Sequence, residues 1–513
     1  MVIKKKNWTV LFLVSIFCLM ATRIAIFAQD VYPLETPELV TENNVSDISK
    51  TYSRMMAAVY LQRSTEDLTI SKQLYDQLVN DVEDSAFVWY KRAQLRYQRL
   101  QDIRGAEKDI EKALEIDPSH VPATWQLAQI LAHRASYSGG RGIKKLVETL
   151  KRVTELDSDH FMAHRMLSDI SFQLQDFDTA EKSFKALTRI VPFDPQYHKS
   201  LGDIYKKQKK IQEAIDAYQR VIKIKPNDLN VLNTVGYIYY DTGKIKQAQE
   251  TFMKAVEVEP NNVDANIGLG LVLENLAYEI QALKNKEDNR ELIDPATLIQ
   301  DAERYLGRAI FFSKEILNNP KNDAQHAFYL EKMITAQYAL ANVYIIFEKL
   351  ENAEDAFKQL LAEVPDHIGA TYGIGSVYQS MGNFEMAETY LRKTLTMEPA
   401  HEIALNALGY LYAQQGIQLD EAEALIKRAL KKSPTNGAYL DSLGWVFYKQ
   451  GKFAEAVRTL EEANQQAPNN AEILMHLGDA YLKNGEPGKA QSVWEQAKTI
   501  EPDNEEIHER LNQ

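Results

Sequence analysis

The sequence predicts an all-α fold, a solenoid built from one helical hairpin repeated along the chain, and three observations carry that expectation. Pro192, Pro226 and Pro260 follow one another at a step of 34 residues, as do Pro365 and Pro399, and then Pro434, Pro468 and Pro502. Glycine keeps the step at Gly202, Gly236 and Gly270, at Gly375 and Gly409, and at Gly444 and Gly478. Alanine keeps it at Ala180, Ala214 and Ala248, and again at Ala422, Ala456 and Ala490. Three residue types on one period do not coincide by chance, and a fixed period of this length marks a repeat architecture.

Each period reads as two helices. From Asn230 to Asp241 apolar and small residues recur at helical spacing around Val235, Gly236 and Tyr239. Asp241-Thr242-Gly243-Lys244 is a turn in which glycine suits the left-handed position that ends a helix. A second helix follows, with Ala248, Phe252 and Ala255 on one face, and Pro260-Asn261-Asn262 stops it. Gly236 and Ala248 permit close approach of the two helices, while Tyr239 and Phe252 fill the space beside them.

The full set of small, aromatic and proline positions resembles the tetratricopeptide repeat (TPR) family. Leu440, Leu443-Gly444, Phe447, Ala456, Leu460, Ala463 and Pro468 form one such set, and Leu474, Leu477-Gly478, Tyr481, Ala490, Trp494, Ala497 and Pro502 the next. The resemblance implies a right-handed TPR superhelical solenoid of about eleven or twelve helix-turn-helix repeats. The expected organisation is a signal peptide at 1–28, a flexible mature N-terminus at 29–47, a degenerate helix pair at 48–86 and repeats at 87–262. A repeat with extended helices or an insert follows at 263–333, then repeats at 334–503 and a polar capping helix at 504–513.

Two places depart from the period. Six residues are added around Ser138-Gly139-Gly140-Arg141-Gly142, and 105 residues separate Pro260 from Pro365 where two periods need 68. The excess includes the charged stretch Glu279 to Ile293 and the stretch Pro320 to Lys332, read as lengthened helices or, alternatively, as three short repeats with poor motifs. A single residue is also inserted between Pro399 and Pro434, at Gln415-Gly416-Ile417-Gln418.

The N-terminus has another character. Lys4, Lys5 and Lys6 precede an apolar run from Trp8 to Thr22, and Ala28 offers a small residue for cleavage before Gln29. This reads as an export signal, with an uncleaved anchor as the second reading because Arg23 closes the run. The expected location is therefore periplasmic or otherwise extracytoplasmic, with membrane contact only if the segment stays. Phe17 before Cys18 speaks against lipidation, and without the leader no thiol remains for disulfides, zinc–thiolate centres or nucleophilic catalysis. A formal net charge of −13 argues against nucleic acid, which needs a basic face.

Catalytic and metal motifs are weak. The turn before Lys144-Lys145 lacks Walker spacing and reads as a flexible insertion. His160 and His164 stand four apart, but Asp157-Ser158-Asp159 places His160 in a turn, so a solvated loop histidine is expected there. No enzyme, cofactor or metal site is expected.

What varies between repeats is more informative than what recurs. The residue after the glycine of the first helix is Asp203, Tyr237, Leu271, Ser376, Tyr410, Trp445 and Asp479 in successive units. With its neighbours one turn away it forms a helical stripe rich in rings and amides: Asn233, Tyr237, Tyr240, Tyr372, Asn406, Tyr410, Trp445 and Tyr448. The resemblance implies that this stripe faces a concave groove that holds extended peptides or partner proteins, where amides bond a peptide backbone and rings anchor it. The other reading is that the rings pack between adjacent helices. The carboxylate clamp of chaperone-binding relatives is absent, because Lys199, Lys206 and Lys207 lack matching asparagines. The run Asn406 to Pro468, with Leu-Gly-Tyr-Leu-Tyr and Asp-Ser-Leu-Gly-Trp-Val, resembles long bacterial envelope TPR adaptors, which implies an exported protein-binding scaffold or adaptor with an envelope protease or a cell-wall hydrolase among its candidate partners. The alternative is a structural subunit or assembly platform of an envelope or secretion complex.

Overall fold

The computed structural model describes residues 45–64, 68–137, 140, 142–284, 294–319 and 325–512. The expected leader at 1–28, most of the stretch at 29–47, and parts of the inserts at 138–142, 279–293 and 320–332 lie outside these residues. Among the described residues there are 25 helices and no strand, and no helix is long and apolar enough to cross a membrane. The chain divides into two units, Met1–Asp228 and Leu229–Gln513.

The N-terminal unit holds five consecutive helix pairs, from Val45–Ser64 with Thr69–Asp81 to Pro195–Lys207 with Ile211–Ile224. The C-terminal unit holds seven, from Leu229–Asp241 with Ile245–Val258 to Ala471–Lys483 with Pro487–Ile500, and closes on Glu505–Leu511. The first helix of each pair is helix A and the second is helix B. Most helices A run 13 residues and most helices B run 14, which is the period read from the sequence once two short turns are added.

The recurring glycine has a specific cause. A Cβ on Gly202 would lie 2.6 Å from the Tyr218 ring, and one on Gly236 would lie 2.5 Å from Phe252. Gly444 faces Leu460 and Gly478 faces Trp494 in the same way, at 2.5 and 2.2 Å. Each large helix B side chain is seated on a bare stretch of helix A backbone, and Tyr218 and Phe252 are fully buried there. The alanine of helix B completes the close crossing, with Ala214, Ala248, Ala456 and Ala490 wholly buried.

The turn between helices A and B also recurs, because one residue in it is left-handed. In the C-terminal unit that residue is Gly243, Gly382, Gly416, Gly451 and Gly485, with φ from 67° to 85°, and Glu348 in one repeat. In the N-terminal unit it is Gln101, Gln175 and Lys209, at φ 54° to 63°.

In the long interval before Pro365 the described residues form longer helices. Val263–Lys284, Pro295–Leu317 and His326–Ile346 run 22, 23 and 21 residues, and Leu350–Glu363 completes the second pair. Pro295 occupies the first turn, where its missing N–H is no loss, and Asp294 caps Thr297 N–H. The added turns bury Leu273, Ala277, Ile280, Leu298, Ala302, Leu306 and Ala309 in one cluster, so the extension gains its own core. The sequence boundary at 333/334 falls inside His326–Ile346.

Candidate functional site

The eight stripe residues all lie in the C-terminal unit and separate into three groups. Asn233, Tyr237 and Tyr240 stand on Leu229–Asp241. Asn233 is buried, and its amide donates to Asn262 Oδ1 at 2.9 Å, the same oxygen that caps Ala265 N–H at the start of the next helix A. The Tyr237 hydroxyl donates to the Asp264 carbonyl at 3.0 Å, and its ring meets Phe252 edge-on at 5.0 Å. Lys332, ion-paired with Asp264 at 2.6 Å, lies 5.7 Å over the same ring. Burial raises the phenols of both Tyr237 and Tyr240. The Asn233 amide nitrogen and the Tyr237 hydroxyl are thus used within the repeat seam, while Asn233 Oδ1 has no hydrogen-bond partner among the described residues.

Tyr372 and Asn406 occupy the same register in consecutive repeats. Tyr372 is half-buried and stacks on His401 at 5.4 Å, while the half-buried Asn406 leaves its side-chain oxygen without a hydrogen-bond partner among the described residues.

The third group is the one the fold brings together. Trp445 stacks face to face on Tyr448 at 4.6 Å and 4°, and it also stacks on the His476 ring at 4.1 Å and 19°. Tyr410, from the preceding repeat, donates its hydroxyl to Glu472 Oε1 at 2.6 Å and lies 6.4 Å from His476. His476 Nδ1 is 3.0 and 3.1 Å from the two carboxylate oxygens of Asp441. Burial pushes the His476 imidazole down, but Asp441, then Glu472 and Asp479, more than offset this and hold it above its ordinary value. Lys449 lies 4.9 Å over Trp445, and Arg510 pairs with Asp479 at 2.9 Å. Three repeats thus build one patch of stacked rings with carboxylates beneath them.

Sequence reasoning missed Asp441, Glu472 and His476. Asp441 occupies the register of Asn233, Tyr372 and Asn406, so a reading that admitted acids beside rings and amides would have included it. His476 sits one residue off that register, and only the stacking on Trp445 reveals it.

His160 is not the solvated loop residue that the sequence suggested. Its Nδ1 caps helix Phe161–Gln173 by accepting from Ala163 N–H at 3.2 Å, and its ring lies 4.8 Å from Trp125 of the preceding helix A. His160 stands at the N-cap, where the half-buried Trp125 ring offers apolar cover. The same device recurs at His120 on Tyr90, His367 on Tyr338 and His401 on Tyr372, capping Ala123, Ala370 and Ala404. His164 is buried and meets the Ser158 carbonyl at 3.0 Å.

Family models described as tetratricopeptide repeat match residues 88–120, 147–195, 195–228, 372–437 and 447–511, and one described as TPR repeat matches 236–276. The chain belongs to the tetratricopeptide repeat family. No curated protein matches it. Solved structures with similar helical build include MamA from Desulfovibrio magneticus RS-1, at 15% identity over 33% of this chain and 96% of that one, with a TM-score of 0.29. A tetratricopeptide repeat protein from Parabacteroides merdae is 16% identical over 62% of this chain and 97% of that one, with a TM-score of 0.34. The Cut9–Hcn1 hetero-tetramer of the APC/C is 14% identical over 90% and 95%, with a TM-score of 0.35.

Proposed function

We propose that this chain is an exported, non-catalytic scaffold that holds partner proteins or extended peptides on the helix A stripe of its C-terminal repeats. Tetratricopeptide repeat proteins are in general protein-interaction scaffolds, and the finer reading rests on one observation. Tyr410, Trp445 and Tyr448 are half-buried rings from two successive helices A, gathered over a row of carboxylates. Half-buried Tyr and Trp combine broad apolar contact with polar edges at small entropic cost, which is the composition of an interface anchor. The basic, then apolar, N-terminal sequence supports an extracytoplasmic place for this activity, in the periplasm or held to the membrane by that segment. An envelope protease or a cell-wall hydrolase is the class of partner such a scaffold would serve.

The test is the double variant Tyr410→Ala with Trp445→Ala. Crosslinking in intact cells should recover a defined set of partners with the unaltered chain. The variant should lose them, since aromatic anchors carry ~2 kcal/mol or more each. Its thermal midpoint should stay nearly unchanged. A collapse of the melt would return these rings to the core, where each deletion costs ~3–5 kcal/mol. Exclusively cytosolic fractionation would remove the exported part of the reading.

A further inference from the structure

Asp441, Glu472 and His476 each offer one ligand atom, and those atoms lie within 4.8 Å of one another. Glu472 and His476 are one turn apart on Ala471–Lys483, so they project from one face of that helix. Asp441 meets them from Gly437–Lys449, the helix A of the repeat before. Adjacent ligand atoms around a tetrahedral divalent ion lie roughly 3.3 Å apart, given metal–ligand distances of about 2.0–2.2 Å. Asp441 and His476 stand at 3.0 Å, just inside that spacing, and a small shift of the exposed Glu472 carboxylate, keeping its hydrogen bond to Tyr410, closes the remainder.

We propose that Asp441, Glu472 and His476 form a binding site for a divalent transition-metal cation, zinc in the first instance, with water completing the coordination. The donor set fits this class of ion. One imidazole with two carboxylates suits zinc, cobalt or nickel, whereas calcium and magnesium favour oxygen donors alone. Charge points the same way. An ion pair of His476 with Asp441 needs only one carboxylate, yet Glu472 is directed to the same place and its hydrogen bond there comes from a neutral phenol, Tyr410. A dication answers both carboxylates together.

The surroundings have the form of a supported site. Tyr410 fixes the Glu472 carboxylate at 2.6 Å, and Trp445 fixes the plane of the His476 ring by stacking at 4.1 Å. The Asp441 and His476 side chains are 7% and 9% exposed, which lowers the local dielectric, while Glu472 opens to solvent and gives the ion a way in. A bound ion would join two neighbouring helices A of the C-terminal unit. This inference does not depend on the scaffold reading and would stand if the partners proved different.

The experiment is calorimetric titration of the whole chain, stripped of metal with chelator, with zinc chloride, alongside His476→Gln and Glu472→Gln. The unaltered chain should show one saturable site that weakens by about tenfold or more in each variant. Glu472 is exposed, so its variant folds and keeps the test decisive if His476→Gln does not. Cobalt provides a local readout, because Trp445 stacks on the ligand ring. Cobalt should quench tryptophan emission in the unaltered chain, and the quenching should shrink in Trp445→Phe. Absence of zinc binding, or binding unchanged in both variants, overturns the proposal and leaves His476 as the ion-pair partner of Asp441.

Discussion

The N-terminal and C-terminal units share one frame and differ in what they place on it. At the position after the small helix A residue the N-terminal unit carries Asp169 and Asp203, while the C-terminal unit carries Tyr237, Leu271, Ser376, Tyr410, Trp445 and Asp479. Asp203 accepts from Lys199 at 3.0 Å and from the Tyr218 hydroxyl at 2.6 Å. Burial pushes Asp169 up to about 6 against the pull of Arg165. In the C-terminal unit three of these positions carry rings instead, and Trp445 stacks on His476 of the next repeat. Beneath both, the same contact holds the hairpin: Tyr218 on Gly202 in one unit and Phe252 on Gly236 in the other. Positions locked by the crossing are uniform, and positions outside it are free to diversify.

That comparison is tested hardest by cutting the shared frame once in each unit. Tyr218→Ala and Phe252→Ala should each cost ~3–5 kcal/mol, read from urea unfolding. Hydrogen exchange should confine the loss to neighbouring repeats, as nearest-neighbour coupling requires. A small cost in one unit alone would show that the frame is not equivalent. Ala456→Phe comes next, since overpacking a wholly buried crossing should cost ~1–3 kcal/mol and lower the melting midpoint. Exchange that speeds up equally along the whole chain would contradict local coupling.

The histidine caps occur in both units and predict a common acid response. Burial first, despite nearby Asp117 and Asp157 in the N-terminal unit, holds His120, His160 and His367 below their ordinary value of 6.5 in the fold. A protonated Nδ1 cannot accept the capping N–H. The unfolded chain therefore binds more protons just below pH 6.5, and folding stability is full above that pH and falls as pH drops towards the lowered folded values. Each cap contributes ~1 kcal/mol. His160→Asn keeps the acceptor and removes the titration, so the loss in urea midpoint between about pH 7.5 and 5.5 should shrink in that variant. An identical pH response with asparagine in place would discard the cap as its origin.

The smallest effect separates the turns. Gly451→Ala places a side chain at φ 76° and should cost ~1 kcal/mol. Gln175→Gly relieves the same conformation at φ 63° and should gain a few tenths, offset by backbone entropy. Thermal melts of the pair would show whether the glutamines and lysine of the N-terminal turns carry strain that the C-terminal glycines avoid.

Most of the helical frame was legible in the sequence, because its contacts are close along the chain. Gly236 and Phe252 are sixteen positions apart, and the period repeats them beside proline stops and left-handed turns. The candidate site was legible only in part. Tyr410, Trp445 and Tyr448 stood out as variable rings, but Asn233 and Tyr237 in the same stripe use their polar groups to bind the next helix. Sequence register cannot separate these two fates, since it fixes the face of a helix and not what the neighbouring repeat presents to it.

By itself, then, the sequence determined the repeat, its two helices, their close crossing at glycine and alanine and the turns, because each arises from local spacing and backbone preference. Only the tertiary structure decided that three helices of this longer interval are extended around a core of their own. It also decided that His160 caps a helix under Trp125. The meeting of Tyr410 with Glu472, 62 residues away, and of Asp441 with His476, 35 residues away, belongs to the same class. Those encounters depend on how successive helices A stack, and stacking is set by the sum of many buried contacts that no single register records.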